Sequence, residues 1–574
     1  MIVILGINKD HSDSSACLLI NGKLIGAVAE ERLGNRIKHD SSFPVNSIKW
    51  LIKSAELKYS DIDIIAISNN TLSNLPYKFL HSFDFSNLNL LKKIKNKIFN
   101  KSSIHQEIQK LALESNENKN NLKYKIYKVE HHLAHIASAY YLSKFEDVTA
   151  ALSYDGSGDA VSLMLAKCQG TTIEVLERVY LPKSLGHFYS SICNFIGFDK
   201  FGEEFKVMGL SAYGEDKYSD YFNKLISYDE KNCFNQKNIF DYNSIDYKKN
   251  NSIKVNKNFF FNKKVEKFSQ DSMDIAKSLQ VAFEKIVLKI IERLHKKVPS
   301  NNLVMAGGCA MNGLVNGKIF KETNFKNHFI QPASTDDGTS LGAAYYCWHN
   351  LLNKKERFIM KHAFWGPFYG EDIILKSIEE KNLKFNKLTD IRELTQVAAR
   401  HIAEGKVVGW YQGRSEWGAR ALGNRSILAN PAIKNMKNII NSKIKKRESF
   451  RPFAPSVLDE DVNRLFECNI NSEFMNHIIK FKEEWRETFP SVCHVDSTAR
   501  LQTVNKENNP LFYRLILELK KITGYGIILN TSFNENEPIV DTPGQAIDCF
   551  LRTDMDMLFL EKFVIYKNFN DSHK

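Results

Sequence analysis

A chain of 574 residues is too long for one ordinary hydrophobic core and implies two domains, or three. With 43% hydrophobic and 25% charged residues it has the composition of a folded protein; no apolar run is long enough to span a bilayer, and nine scattered cysteines without a Cys-x-x-Cys pair argue against a disulfide framework or zinc knuckle and fit a reducing cytoplasm. The net charge of +13 invites an anionic partner, but the lysines of 92–101 and 248–264 lie among asparagines with little arginine and no regular aromatic interleaving; they read as solvated surface, and nucleic acid is not expected as a partner.

Residues 2–7 read as a first strand and not as a signal peptide, because no basic region precedes an apolar one. A polar turn from Asn8 to Ser15 follows, then a strand over 16–20, an Asn21-Gly22 hairpin turn and a strand over 23–30. Residues 85–125 and 215–265, rich in Asn and Lys, read as insertions or surface. Between them, residues 129–140 read as a helix carrying His131, His132 and His135. The opening pattern then returns. A strand over 149–153 leads into Tyr154-Asp155-Gly156-Ser157-Gly158-Asp159, and strands over 160–166 and 172–179 flank Gln169-Gly170. Two hairpins whose acidic first turns can face each other suit a nucleotide cleft between duplicated lobes, as in actin-like proteins and sugar kinases, an argument by fold analogy.

A helix is expected over 273–296, then a buried strand over 302–306 that ends in Gly307-Gly308, where the backbone can approach a ligand, and a helix over 309–320. The turn from Ser334 to Ser340 leads into an apolar helix from Leu341. Residues 352–385 look like a connector, followed by a second α/β unit. Its signals are a helix over 394–404, a strand over 407–411, a basic loop from Gly413 to Ser426, and a strand over 526–529 before Asn530-Thr531-Ser532-Phe533-Asn534.

Three groups carry chemistry. His131 and His135, four apart, lie on one helical face and can share a metal ion; Asp337 in a Gly-containing turn is a sensible third ligand, with Asp336 as its local competitor. Asp13, Asp155 and Asp159 could organise phosphates through a cation, with Ser14, Ser157 and Gly158 donating hydrogen bonds, or could be ordinary turn residues. Arg414, Arg420, Arg425, Lys445, Lys446, Arg447 and Arg451, with Arg500 further on, are not at helical-face spacings and read as an anion pocket.

These motifs resemble the NodU/CmcH/TobZ family of O-carbamoyltransferases along nearly the whole chain. The matching stretches are Gly6-x-Asn8-x-x-His11-x-Asp13-Ser14-Ser15-Ala16, Glu30-Glu31-Arg32, His131-His132-Leu133-Ala134-His135, Asp155-Gly156-Ser157-Gly158-Asp159, Gly307-Gly308-Cys309-Ala310-Met311-Asn312 and Asp336-Asp337-Gly338. In the second half they are Arg420-Ala421-Leu422-Gly423-Asn424-Arg425-Ser426, the stretch from Arg447 to Pro455, and Leu529-Asn530-Thr531-Ser532-Phe533-Asn534. The resemblance implies an α/β protein. A duplicated actin-like ATPase domain (ribonuclease H-like) over 1–355 would be followed by a connector over 356–385 and a YrdC-like α/β domain over 386–574.

It also implies an ATP-dependent enzyme that converts carbamoyl phosphate and ATP into carbamoyl-adenylate in the second domain and moves the carbamoyl group to a sugar or secondary-metabolite hydroxyl in the first. Carried over residue by residue, His131, His135 and Asp337 are the metal ligands, for iron or zinc, with magnesium accompanying ATP as the other option. Asp155, Gly156, Ser157, Gly158, Gly307, Gly308 and Asn312 contact nucleotide. Lys445, Arg500 and Ser532 serve the carbamoyl-phosphate and adenylate pocket, Arg420, Arg447 and Arg451 bind phosphate, and His11 is a base or orienter for the acceptor hydroxyl. Two other readings remain: a fused tRNA threonylcarbamoyladenosine synthase, disfavoured by domain order and by the Arg447–Pro455 stretch, and a non-catalytic ATP-binding regulatory module, disfavoured by the intact metal and basic motifs.

Overall fold

The computed structural model describes residues 1–78, 104–241, 244, 252–255, 265–448 and 450–567. The lysine-rich stretch 92–101, and all of 248–264 except 252–255, lie outside them.

The opening hairpin forms as the alternation predicts. Strands β1 (Val3–Asn8), β2 (Ser15–Ile20) and β3 (Lys23–Ala29) are antiparallel, and β1 pairs in parallel with β4 (Ile64–Ile67), which pairs in parallel with β5 (Lys125–Lys128). The same plan recurs after helix α1 (His131–Tyr140). Strands β6 (Thr149–Gly158), β7 (Val161–Gln169) and β8 (Thr172–Tyr180) form the antiparallel hairpin, and β9 (Asn302–Ala306) and β10 (Asn327–Ile330) extend it in parallel beyond β6. The two sheets thus have orders β3-β2-β1-β4-β5 and β8-β7-β6-β9-β10, and the repeat that is weak in sequence is complete in topology.

Helix α1 packs against α4 (Gly338–Tyr346) between the lobes; α2 (Gln270–Lys297) and α3 (Gly313–Glu322) come from the second lobe. Contact at the centre is close. A Cβ at Gly342 would stand 1.7 Å from the Ala134 carbonyl oxygen, and one at Gly6 would stand 2.2 Å from that of Ser340. Because α1 is enclosed on all sides, its three histidines are 0% exposed.

The second unit is a nine-stranded mixed sheet of order β11-β19-β18-β12-β13-β17-β14-β16-β15. Its strands are β11 (Asn386–Lys387), β12 (Val408–Tyr411), β13 (Arg425–Ala429), β14 (Ala454–Leu458), β15 (His477–Lys480), β16 (Thr498–Val504), β17 (Ile527–Ser532), β18 (Met557–Leu560) and β19 (Phe563–Tyr566). Helices α5 (Ile391–Ala403) and α6 (Pro510–Thr523) cover one face through Leu394, Ala398, Ile402, Phe512, Leu515 and Leu519. No helix among the described residues is long and apolar enough to cross a membrane.

Several element boundaries depart from the sequence expectation. Strand β6 continues through Asp155-Gly156-Ser157-Gly158, which therefore stands at a strand end and not in a free turn. After Gly307-Gly308 the chain makes a 3-10 turn, Gly308–Met311, before α3, whose start is fixed by Asn312 capping Val315. The expected insertions contain ordered elements, among them the helix Ile104–Glu114, which buries Ile108, Leu111 and Ala112. The connector holds a helix, Glu371–Glu379, that buries Ile374 and Ile378.

The two units meet closely. On one side α3 lies on β15, where a Cβ at Gly317 would stand 2.0 Å from the Ile478 carbonyl oxygen, and Asn316 Nδ2 donates to the Asn476 carbonyl at 2.8 Å. On the other, Arg32 donates to the Gly418 carbonyl at 2.9 Å and Arg414 to the Ile25 carbonyl at 3.0 Å.

Candidate active site

A cavity of about 900 Å³ lies between the lobes and the second unit, walled at one end by His11, Asp155 and Asp336 and at the other by Arg420, Lys445, Arg447, Arg451, Arg500 and Ser532.

The first end is a cluster of donor atoms. Helix α1 places His131 Nε2 and His135 Nε2 3.1 Å apart, and both face Asp155 Oδ2 (3.6 and 3.5 Å) and Asp336 Oδ1 (3.4 and 3.5 Å). A tetrahedral ion with bonds of about 2.0–2.1 Å has donor–donor edges of about 3.4 Å, so the set fits a divalent cation. Asp336 Oδ1 is buried and accepts no hydrogen bond from the protein. Burial alone would lower the pKa of His131, but Asp336 and Asp155 outweigh it and hold it up at about 10. Burial opposes ionisation of Asp155, and the two imidazoles reverse this and hold the carboxyl well below its usual range.

The carboxylate that faces the imidazoles is not the expected Asp337. Asp337 turns away: its Oδ1 accepts from Thr335 Oγ1 at 2.7 Å and from its neighbour Gly338 N at 2.9 Å, and burial beside Asp13 pushes it up to about 7. Asp336 faces the imidazoles in its place, and Asp155, expected to contact nucleotide, joins them. His132 is locked elsewhere, to Ser153 Oγ at 2.7 Å and the Val161 carbonyl at 3.0 Å, and burial then the neighbouring histidines keep it neutral. Asp159 is a positioning residue for α1: its Oδ2 accepts the His131 N–H at 3.1 Å.

The expected nucleotide loop divides in two. Gly156, Ser157, Gly308 and Asn312 line the cavity. Gly158 and Gly307 do not; they make room. A Cβ at Gly158 would stand 2.0 Å from His131 Cδ2, and one at Gly307, where φ is +100°, would stand 2.1 Å from the Tyr154 carbonyl oxygen. Asn312 also has a fixed partner, Gln280 Oε1, at 3.0 Å.

His11 stacks on His131, with centroids 4.8 Å apart, and its Nδ1 lies 3.9 Å from Asp336 Oδ2, so it stands at the mouth of the cluster. Sequence reasoning missed His39, whose Nδ1 is 2.7 Å from Asp13 Oδ1. Burial would lower His39; the Asp13 charge and hydrogen bond raise it to about 9. Only the adjacent Lys38 and Asp40 could have flagged it, and they look like ordinary surface charge.

The basic end also sorts its candidates. Arg425 is fully buried, donates to the carbonyls of Gln412, Asn424 and Gly413 at 2.7–3.0 Å, and stacks on Tyr411. Like Arg414, it is a strut and not an anion binder. Lys446 points outward to Glu535 at 3.4 Å. The rest converge. Lys445 Nζ donates to Asn534 Oδ1 and O at 2.7 and 2.8 Å and to Ser532 O at 2.5 Å, all neutral acceptors. Burial, then repulsion from Arg500 and Arg451, pulls Arg420 well below its usual range; burial and Arg451 bring Arg500 down to about 10. Cations that repel one another in one wall, with Glu448 at 3.6 Å from Arg451 as a local carboxylate, have the charge and geometry to receive an anion.

Residues 3–345 match the family described as carbamoyltransferase N-terminus, and residues 399–567 match carbamoyltransferase C-terminus. The chain is 36% identical to nodulation protein NolNO of Sinorhizobium fredii, over 98% of this chain and 80% of that protein. It is 37% identical to nodulation protein NolO of Bradyrhizobium diazoefficiens over 76% and 79%, and 34% identical to an uncharacterized protein of Synechocystis over 99% and 97%.

Proposed function

The chain belongs to the carbamoyltransferase family, and on that premise we propose that it is an ATP-dependent O-carbamoyltransferase whose two half-reactions share one cavity. The observation that carries this reading is the continuity of that cavity: a four-donor His/Asp cluster at one end, an arginine–lysine wall at the other.

In the second unit, read as a YrdC-like module over 386–574, Arg420, Arg447, Arg451 and Arg500 hold the phosphate of carbamoyl phosphate, and Lys445 with Ser532 orients the carbamoyl end. Water releases phosphate and leaves carbamate. The carbamate oxygen attacks the α-phosphorus of ATP, pyrophosphate departs, and carbamoyl-adenylate remains. In the actin-like lobes over 1–355, Ser157, Gly308 and Asn312 cradle the nucleotide, whose base has an apolar wall in Tyr189, Ile253 and Phe283. The acceptor hydroxyl of a sugar or secondary metabolite attacks the carbamoyl carbon, AMP leaves, and His11 takes the hydroxyl proton. A divalent cation held by His131, His135, Asp155 and Asp336 would supply Lewis acidity at the carbonyl and charge neutralisation at the phosphate. All nine cysteines are free, which supports a cytoplasmic site of action.

The test is carbamoyl-phosphate-dependent exchange of labelled pyrophosphate into ATP, alongside mass spectrometry for a gain of about 43 daltons on candidate hydroxyl acceptors. Exchange that needs carbamoyl phosphate is expected; ATP binding without it would overturn the reading. Lys445→Ala should lose exchange yet still transfer from supplied carbamoyl-adenylate.

A further inference from the structure

Residues 36–39 form a strap between the two ends of the cavity. Arg36 is tied to the second unit: Nη1 donates to Gln545 Oε1 at 2.7 Å and Nη2 to the Pro538 carbonyl at 2.6 Å. His39, three residues on, is tied to the first lobe through Asp13 at 2.7 Å, and Asp40 accepts the Ser14 N–H through its carbonyl at 2.7 Å. Both anchors have left-handed backbone, with φ of +56° at Arg36 and +59° at His39. Left-handed backbone is unfavourable for a non-glycine residue, and such strain persists where surrounding contacts over-determine it.

Between the anchors stands Lys38. It is exposed to the cavity, and no described residue forms an ion pair or hydrogen bond with its ammonium. Its charge is felt by Glu31 on the side of the first lobe and by Arg451 and Glu537 on the side of the second unit. Carboxylates that line the cavity already have cations beside them: Glu31 has Arg32 at 3.8 Å, Glu203 has Lys206 at 2.6 Å and Glu535 has Lys446 at 3.4 Å. Among the described residues Lys38 has no such partner, so its charge is available to an anion that moves between the arginine wall and the first lobe. A lysine suits this task, since its compact charge rides on a flexible four-carbon stem, whereas arginine favours one fixed fork.

We propose that Lys38 is the relay for the phosphate of carbamoyl-adenylate as it passes from the arginine wall to the His/Asp cluster. The proposal rests on the two-half-reaction reading above. Without the relay, adenylate formed in the second unit escapes, and water cleaves it to AMP and carbamate.

The experiment compares wild type, Lys38→Met and Lys38→Arg with carbamoyl phosphate, ATP and an acceptor. It measures pyrophosphate released per carbamoylated product, and pyrophosphate exchange separately. In Lys38→Met, exchange should stay within about twofold of wild type while the ratio rises by about 10-fold, the lower end of what electrostatic focusing contributes in a cleft. Lys38→Arg should recover most of the coupling. An unchanged ratio in Lys38→Met would overturn the relay, as would a loss of exchange in proportion to transfer, which would place Lys38 in the arginine pocket. Absence of exchange in the wild type would instead bring down the underlying reading.

Discussion

Gly158→Ala is the sharpest test of how the donor cluster is built. The new methyl would stand 2.0 Å from His131 Cδ2 and 2.1 Å from Cγ, whereas ordinary contact begins near 3.4 Å, so the ring must retreat by roughly 1.4 Å. Helix α1 cannot follow, because Gly342 packs on the Ala134 carbonyl behind it. A retreat of that size takes Nε2 out of reach of an ion that binds nitrogen at about 2.0–2.1 Å. Changes that only perturb the orientation of a ligand cost about 10–100-fold in metal affinity, so displacing one should cost at least about 100-fold. Equilibrium dialysis against zinc, or the visible spectrum of the cobalt form, measures this. Overpacking should also cost about 1–3 kcal/mol of stability, read as a lower Tm. Gly370→Ala is the control: its φ of −68° is open to any residue, as no left-handed φ constrains Gly158 either, and nothing lies within 4 Å of the new methyl. A folded Gly158→Ala protein that binds metal like wild type would refute the packing argument; one that loses only ATP affinity would return Gly158 to a nucleotide loop.

Other substitutions separate neighbouring groups. Asp336→Asn should sharply reduce bound metal and carbamoyl transfer, while Asp337→Asn should keep the metal and lower Tm, since its carboxyl serves the α4 cap; the opposite order would restore Asp337 as the ligand. The His39–Asp13 pair should stabilise the fold in a pH-dependent way. With a folded pKa of about 9 against 6.5, its contribution is complete below pH 6.5 and fades as pH rises through 9. The Tm gap between wild type and His39→Gln should therefore be widest near the acidic end of that window, with at most about 3 kcal/mol behind it, and a gap that grows toward alkaline pH would contradict the pairing.

The sequence announced periodic features and hid those that depend on where a side chain points. Both hairpins and the histidine spacing could be read directly, because alternation and i,i+4 spacing are local geometry. The choice between Asp336 and Asp337 could not. Adjacent residues at a helix N-terminus point in different directions, and the outcome rests on Thr335 and the Gly338 N–H claiming one carboxyl. The arginines mislead for a similar reason. Arg420 and Arg425 share one motif five residues apart, yet Arg425 is enclosed by carbonyls that approach it from residues 412–413 and 541. Charge patterning records that a cation is present, not which carbonyls surround it.

The basic wall carries a cost that bears on its use. Lys445 is 1% exposed, and each acceptor around its ammonium is neutral, so its hydrogen bonds are satisfied while its charge is not. Arg420 Nε is buried without a partner, and Arg420, Arg447 and Arg500 are each destabilised by burial and by one another or Arg451. Nothing in folding alone favours that arrangement; surface arginines would be cheaper. The scaffold that brings them together is one sheet: β14, which begins three residues after Arg451, pairs with β16, which carries Arg500, and with β17, which carries Ser532. In the proposed reaction the wall would meet an incoming phosphate with its charges already desolvated. On that reading the binding energy of the phosphate would offset the repulsion among the arginines, and a rigid scaffold would turn a cost in the free protein into affinity for an anion.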